Sequence, residues 1–179
     1  MRWEIHGERA LYESEWVTVT MADVEVPGGR RFDHHVVRVP DAAGAVVHDP
    51  DRGVLLLWRH RFIPDTWAWE LPGGMVDGDE DPAQAARRET LEETGWEPGP
   101  LTELAHFYPV SGLSTQCFHL YLAEGASPVG APADQLESER VEWVGMDEFR
   151  RIVREGEMLD GLSFAAALYT LAFVCNADT

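Results

Sequence analysis

The sequence predicts an α/β fold: one mixed β-sheet with helices on its faces, preceded by an N-terminal β-hairpin extension. Three observations predict it. Strand-like and helix-like patterns run in the order strands, one helix, strands, two helices, which does not suit a doubly wound parallel sheet. Residues 54–58 are apolar throughout, as expected of a central strand covered on both faces. Apolar residues form 45% of the 179-residue chain, enough for the core of one ordinary domain.

The elements follow in order. Residues 16–26 are rich in β-branched side chains, with Val17, Val19 and Met21 alternating with polar partners, and read as a strand. Pro27-Gly28-Gly29 is a turn signal, and residues 31–39 return as a second strand, so 14–39 reads as a hairpin. Residues 44–47 form a further strand. The turn signal of residues 49–53 leads into the strand at 54–58, and Trp67 to Leu71 is a short strand that ends on Pro72-Gly73-Gly74. Residues 82–94 read as a helix: Pro82 suits the first turn, Asp81 can cap it and Gly95 can end it. Strands follow at 104–110 and 117–123, a loop at 124–132, a strand at 141–144, and helices at 147–154 and 163–174. The chain divides into an extension, residues 1–41, and a main domain, residues 42–179.

Composition excludes several functions. No apolar run approaches the ~18 residues of a membrane-spanning helix, and the N-terminus lacks the pattern of a signal peptide. The expectation is a soluble cytoplasmic protein. The net charge of −18, from 14 basic and 32 acidic residues, argues against nucleic-acid binding, because phosphate backbones are repelled. All basic residues are arginine, so every cationic contact to a phosphate comes from a guanidinium or a metal ion. Cys117 and Cys175 form no C-x-x-C pair and read as small buried hydrophobes. His34 and His35 are adjacent on a strand and point to opposite faces, which opposes a joint metal site.

The chemistry lies between Gly73 and Trp96. Glu89, Glu92 and Glu93 stand at helical spacings of three and four and share one face. Crowded carboxylates repel, unless a divalent cation sits among them. Oxygen-only ligands select a hard ion, magnesium or manganese. Glu80 precedes the helix and can fold back toward it. Arg88 and Glu92, at i and i+4, can pair. Gly73-Gly74 lets backbone approach a metal or phosphate. A solvated acidic face is the bland alternative. An EF-hand loop at 77–88 is excluded, because Pro82 takes its glycine position and Arg88 its final glutamate.

Gly74, Glu80, Arg88-Glu89, Glu92-Glu93, Gly95 and Trp96 together resemble the Nudix box, with every charged and glycine position matched. Thr90 stands where that family usually has an aliphatic residue. The resemblance covers roughly residues 42–175. It implies the Nudix fold, an α/β/α sandwich with a mixed sheet. It also implies Glu89, Glu92, Glu93 and the Gly74 carbonyl as metal ligands, Glu89 as a possible base, and Arg88 and Glu80 as their supports. Physically, bound magnesium neutralises phosphoryl charge and lowers the pKa of water, and a carboxylate takes the proton.

Within the family, Trp69-Glu70-Leu71-Pro72-Gly73-Gly74 resembles the segment before the box in ADP-ribose pyrophosphatases. Arg59 and Arg61 lie where that group carries a Gln-Tyr-Arg motif, with Arg59 in place of the glutamine. The segment from Phe107 to Gly112 resembles its Ser-Pro-Gly loop, with Ser111 in place of the proline. Glu137 and Glu139 lie in a segment that resembles its acidic loop and its late catalytic glutamate; Glu155 and Glu157 are a weaker source. The resulting substrate contacts are Arg59, Arg61, Glu70, Trp69 and Gly112. Arg59 and Arg61 are candidates for a diphosphate clamp or a plain surface pair, and Trp67, Trp69, Phe107 and Tyr108 for base stacking or core packing. The expected activity is magnesium-dependent cleavage of ADP-ribose to AMP and ribose 5-phosphate. Another nucleotide sugar and a non-hydrolysing nucleotide sensor are the alternatives. A two-stranded ribbon is marginal alone, so residues 1–41 are expected to serve a homodimer.

Overall fold

The computed structural model describes residues 1–133 and 138–174. They form two compact units, Met1–Asp41 with Phe107–Cys117, and Ala42–His106 with Phe118–Thr179.

The first unit carries an antiparallel sheet in the order β1 (Glu4–Glu13), β2 (Thr18–Glu25), β3 (Arg31–Arg38). It has three strands, where the sequence suggested a hairpin. The added strand β1 is exposed at all ten positions, so it has no apolar alternation by which to announce itself. In β2 the buried side chains are Thr20, Ala22 and Val24, the opposite parity to Val19 and Met21. Residues 110–115 join this unit through backbone bonds, Val37 N–H to Leu113 O at 2.8 Å and Thr115 N–H to Val37 O at 3.2 Å.

The second unit contains β4 (Ala42–Asp49), β5 (Gly53–Arg61), β6 (Thr66–Glu70), β7 (Gly73–Met75), α1 (Pro82–Thr94), β8 (Trp96–Pro98), β9 (Leu101–Phe107), β10 (Phe118–Glu124), β11 (Ala126–Pro128), β12 (Arg140–Val144), α2 (Met146–Glu155) and α3 (Gly161–Tyr169). Seven strands make one mixed sheet along the path β12-β5-β4-β10-β9, with β6 on β5 and β7 on β4. β4 and β10 run parallel; the pairs of β5 with β12 and β6, and of β4 with β7, are antiparallel. β8 and β11 pair separately, so part of the expected loop at 124–132 is a strand. The third helix is α only to Tyr169 and continues as a π-helical turn, Thr170–Val174.

Strand alternation shows the sandwich directly. Ala43, Ala45 and Val47 of β4 pack with Leu55 of β5 and with Ala85 and Ala86 of α1. Gly44, between them, faces the other way, where a Cβ would lie 2.5 Å from Leu162 of α3. The helices therefore cover opposite faces. Leu55, Leu56 and Leu57 are fully buried, each contributing on the order of 2 kcal/mol of transfer free energy. No helix among the described residues is long and apolar enough to cross a membrane. Cys117 is buried, as expected; Cys175 lies outside the described residues.

Candidate active site

Helix α1 starts and stops where its sequence dictates. Asp81 accepts a hydrogen bond from Ala83 N–H at 2.9 Å, Pro82 occupies the first turn, and Gly95 closes the helix at φ 72° with its N–H on Leu91 O. Thr90 is fully buried, and its hydroxyl donates to Ala86 O at 2.7 Å. That bond lets a polar residue fill an aliphatic position without an orphaned donor.

Glu93 points into the protein and is 4% exposed. One carboxylate oxygen accepts from the Arg59 guanidinium at 2.5 Å and the other from Gly73 N–H at 2.9 Å. Burial outweighs the pull of Arg59 and raises the Glu93 pKa to about 7. Burial also raises Glu89, opposed by Arg88 and assisted by the Glu92 charge. Glu89 packs on Gly74 so closely that a Cβ there would lie 2.5 Å from its carboxyl carbon. Arg88 lies at the centre of the remaining acids: it donates to Glu89 at 2.7 Å, to Glu92 at 3.2 Å, to Glu80 at 3.0 and 3.1 Å, and to Met75 O at 3.0 Å. The Arg88 bond holds Glu80 below the usual carboxylate range.

Among the described residues, no three His, Cys, Asp or Glu side chains are preassembled as a cation site. The guanidiniums explain this, since Arg88 lies on Glu89 and Glu92 and Arg59 on Glu93. The donor set nevertheless fits a hard divalent cation. Its side chains are all carboxylates, two of them are raised by burial and by neighbouring negative charge, and Gly74 presents backbone with no side chain beside Glu89.

The flanking residues depart in part from the sequence reading. Arg59 is 3% exposed and bound to Glu93, so it is neither a surface residue nor an open phosphate clamp. The cause is strand parity: Arg59 lies on the same face as Leu55, the face packed on α1. Arg61 makes a forked pair with buried Glu70, at 2.6, 2.9 and 3.2 Å, and keeps a side chain 48% exposed. It borders a cavity of about 480 Å³ with Phe62, Glu70 and Asp160. Glu70 thus anchors Arg61, with Arg59 3.7 Å away.

Trp69 is buried and covered by Trp58 at 5.2 Å and by the Arg140 guanidinium at 5.2 Å. It also lies on the sheet face away from α1, so no open ring faces the box. Exposed Trp67 shares that face and stacks on Trp58. Glu139 is exposed and, with Glu93, borders a depression of about 260 Å³. Glu137 lies outside the described residues. Glu155 and Glu157 are both bound by Arg151. Gly112, with Tyr108, belongs to the first unit, where Gly112 lines a cavity with Trp3, His34 and His35. The second unit therefore holds Gly74, Glu80, Arg88, Glu89, Glu92, Glu93, Arg59, Arg61, Glu70 and Glu139, with Trp67 and Trp69 on its other sheet face, whereas Phe107, Tyr108 and Gly112 belong to the first unit. The sequence reading missed Arg140 and Trp58; their tie depends on Arg140 standing opposite Trp58, and strand register is not readable from one strand.

Residues 38–162 match the NUDIX domain. A CMP-5'-(N-acetyl-N-hydroxy-3-aminopropyl)phosphonate hydrolase of Streptomyces rubellomurinus is 46% identical over 87% of this chain and 76% of its own. An ADP-ribose pyrophosphatase of Mycobacterium tuberculosis is 29% identical, over 93% of this chain and 82% of its own. A crystal structure of an ADP compounds hydrolase shares the fold with a TM-score of 0.81, covering 96% of this chain and 93% of its own at 17% identity.

Proposed function

The chain belongs to the NUDIX family and is a pyrophosphohydrolase of that family, and we propose that it cleaves, with a divalent metal ion, the anhydride of a nucleoside 5′-phosphate joined to a second phosphorus acid. The observation that carries this reading is the complete carboxylate set of α1, held by Arg88 and Arg59 around a side-chain-free Gly74. A non-hydrolysing sensor has no need of all those carboxylates.

Glu89, Glu92, Glu93 and the Gly74 carbonyl would hold magnesium or manganese. When bound, the ion neutralises phosphoryl charge and acidifies water. The protein's own groups supply the rest. Arg59 and Gly73 N–H fix both oxygens of Glu93. Arg88 keeps Glu89 and Glu92 oriented and limits their repulsion. Glu139, bordering the same depression as Glu93, takes the proton as water adds to one phosphorus and the bridging oxygen leaves with the other; Glu137 and Glu89 are its rivals for this role. Half-exposed Arg61, braced by Glu70, meets the phosphates.

Two substrate readings have specific support. ADP-ribose, giving AMP and ribose 5-phosphate, is favoured by the Trp69 to Gly74 segment and by the ADP-ribose pyrophosphatase relatives. A CMP-linked phosphonate is favoured by the relative at 46% identity. We further read the protein as a cytoplasmic homodimer, from the nucleotide substrate and the exposed first strand. The test is kcat/KM with magnesium over ADP-ribose, a CMP-linked phosphonate, other nucleotide sugars and a nucleoside triphosphate. ADP-ribose is expected first. If another member is at least about tenfold better, a margin within reach of a few altered contacts, the ADP-ribose reading fails. If none is cleaved, the function fails.

A further inference from the structure

On the sheet face away from α1, one row of side chains crosses three strands. Register places Arg140 of β12 opposite Trp58 of β5, and Trp58 opposite Trp69 of β6. The Arg140 guanidinium lies 5.2 Å from both indole centroids, and the two indoles are 5.2 Å apart at 55°. A planar cation can rest on two such rings at once. Among the described residues Arg140 also pairs with exposed Glu142 at 3.4 Å, a looser tie.

Arg140 is the first residue of β12. The residue before it is fixed by its own backbone, Glu139 N–H donating to Trp58 O at 2.9 Å. Neighbouring residues in extended chain face opposite ways. The Arg140 guanidinium is held on the far face and Glu139 has the parity of the α1 side; both residues border the depression that Glu93 lines. Val141 and Trp143, of the same parity as Glu139, pack in the core against α1.

We propose that Arg140 is a positioning residue for proton transfer: its place over Trp58 and Trp69 pins the start of β12 and thereby holds Glu139 beside the carboxylates of α1. The inference rests on the reading of Glu139 as the group that takes the proton. It assigns the tryptophan pair a role as anchor on the sheet face away from α1.

The test is a double-mutant cycle on the best substrate of the panel above, with magnesium. Glu139→Gln is expected to lower kcat about 100-fold. Arg140→Ala should lower kcat about tenfold with KM within about twofold, because the base is misplaced and the binding groups are not. Arg140→Lys should recover part of the loss, since an ammonium cannot lie flat on two rings. The double variant should be no slower than Glu139→Gln alone. If Arg140→Ala fails to fold, the cycle is run with Arg140→Lys. Losses that multiply in the double variant, or a rise in KM with kcat unchanged, overturn the proposal, as does a wild-type kcat in the Arg140 variant while Glu139→Gln is slow. A wild-type rate for Glu139→Gln overturns the reading beneath it as well.

Discussion

Glu93→Gln sets two effects against each other at one buried position. Gln removes a charge that Arg59 neutralises at 2.5 Å; breaking a buried pair on one side costs about 3–5 kcal/mol where attraction dominates. But burial outweighs that attraction here, so Glu93 titrates near 7 in the folded chain against 4.5 unfolded. The sign follows. For an acid raised on folding, the contribution to stability is complete below the unfolded pKa and lost as pH rises through the folded one. The difference spans about 2.5 pH units at 1.36 kcal/mol each, roughly 3 kcal/mol in all, of which most disappears between pH 5 and pH 8. Gln mimics the protonated acid and carries no such dependence. In chelator, the variant should therefore match the wild type at pH 5 and exceed it at pH 8 by up to about 3 kcal/mol, or roughly 6–12 °C in melting temperature for a chain of this size. Turnover with magnesium should nevertheless fall about 10²–10⁴-fold. Thermal melts at the two pH values decide the matter. A variant less stable than wild type by about 2 kcal/mol or more at both shows that the Arg59 pair outweighs burial, and the reasoning is refuted.

Three further expectations follow from the same geometry. Gly74→Ala places a Cβ 2.5 Å from the Glu89 carboxyl carbon, so it should raise the magnesium concentration needed for half-maximal rate and cost about 1–3 kcal/mol; unchanged magnesium dependence contradicts the contact. Gly95→Ala combines a φ of 72° with a Cβ 2.2 Å from Gly130 O, and a left-handed residue plus overpacking predicts a melting temperature lower by about 5–15 °C; a shift under about 2 °C would show that residues 130–131 move aside freely. The exposed β1, with Ile5, Leu11 and Tyr12 uncovered, should be covered by a second copy, and light scattering that finds a monomer at micromolar concentration refutes the homodimer.

Legibility in the sequence followed how local each feature is. Asp81, Pro82 and Gly95 act within one turn of the helix ends they define, so α1 was readable to the residue. Glu89, Glu92, Glu93 and Arg88 meet because helical spacing alone puts them on one side. Strand β1 was hidden because all its side chains face solvent, and β8 and β11 because three residues carry no period. Arg59 shows the limit most clearly. Its type suggested a phosphate contact, but parity along β5 turns it inward to Glu93, and that depends on which face α1 covers. For Trp69 the sequence leaves stacking and core packing open for the same reason: Trp58 faces it from the adjoining strand and Arg140 from a strand about 70 residues on.

That β5 serves both of its faces has a consequence for how this protein tolerates changes of length. Trp58 carries Arg140 on one side, and Arg59 carries Glu93 on the other. Inserting or deleting one residue within Gly53–Arg61, or within Arg140–Val144, exchanges the two sides and turns guanidinium and indole into each other's places. Insertions are therefore confined to the turns, and the one after β5 is suited to them: Phe62 and Ile63 lie open to solvent. A peptide tag spliced there lengthens the chain without shifting the phase of either strand.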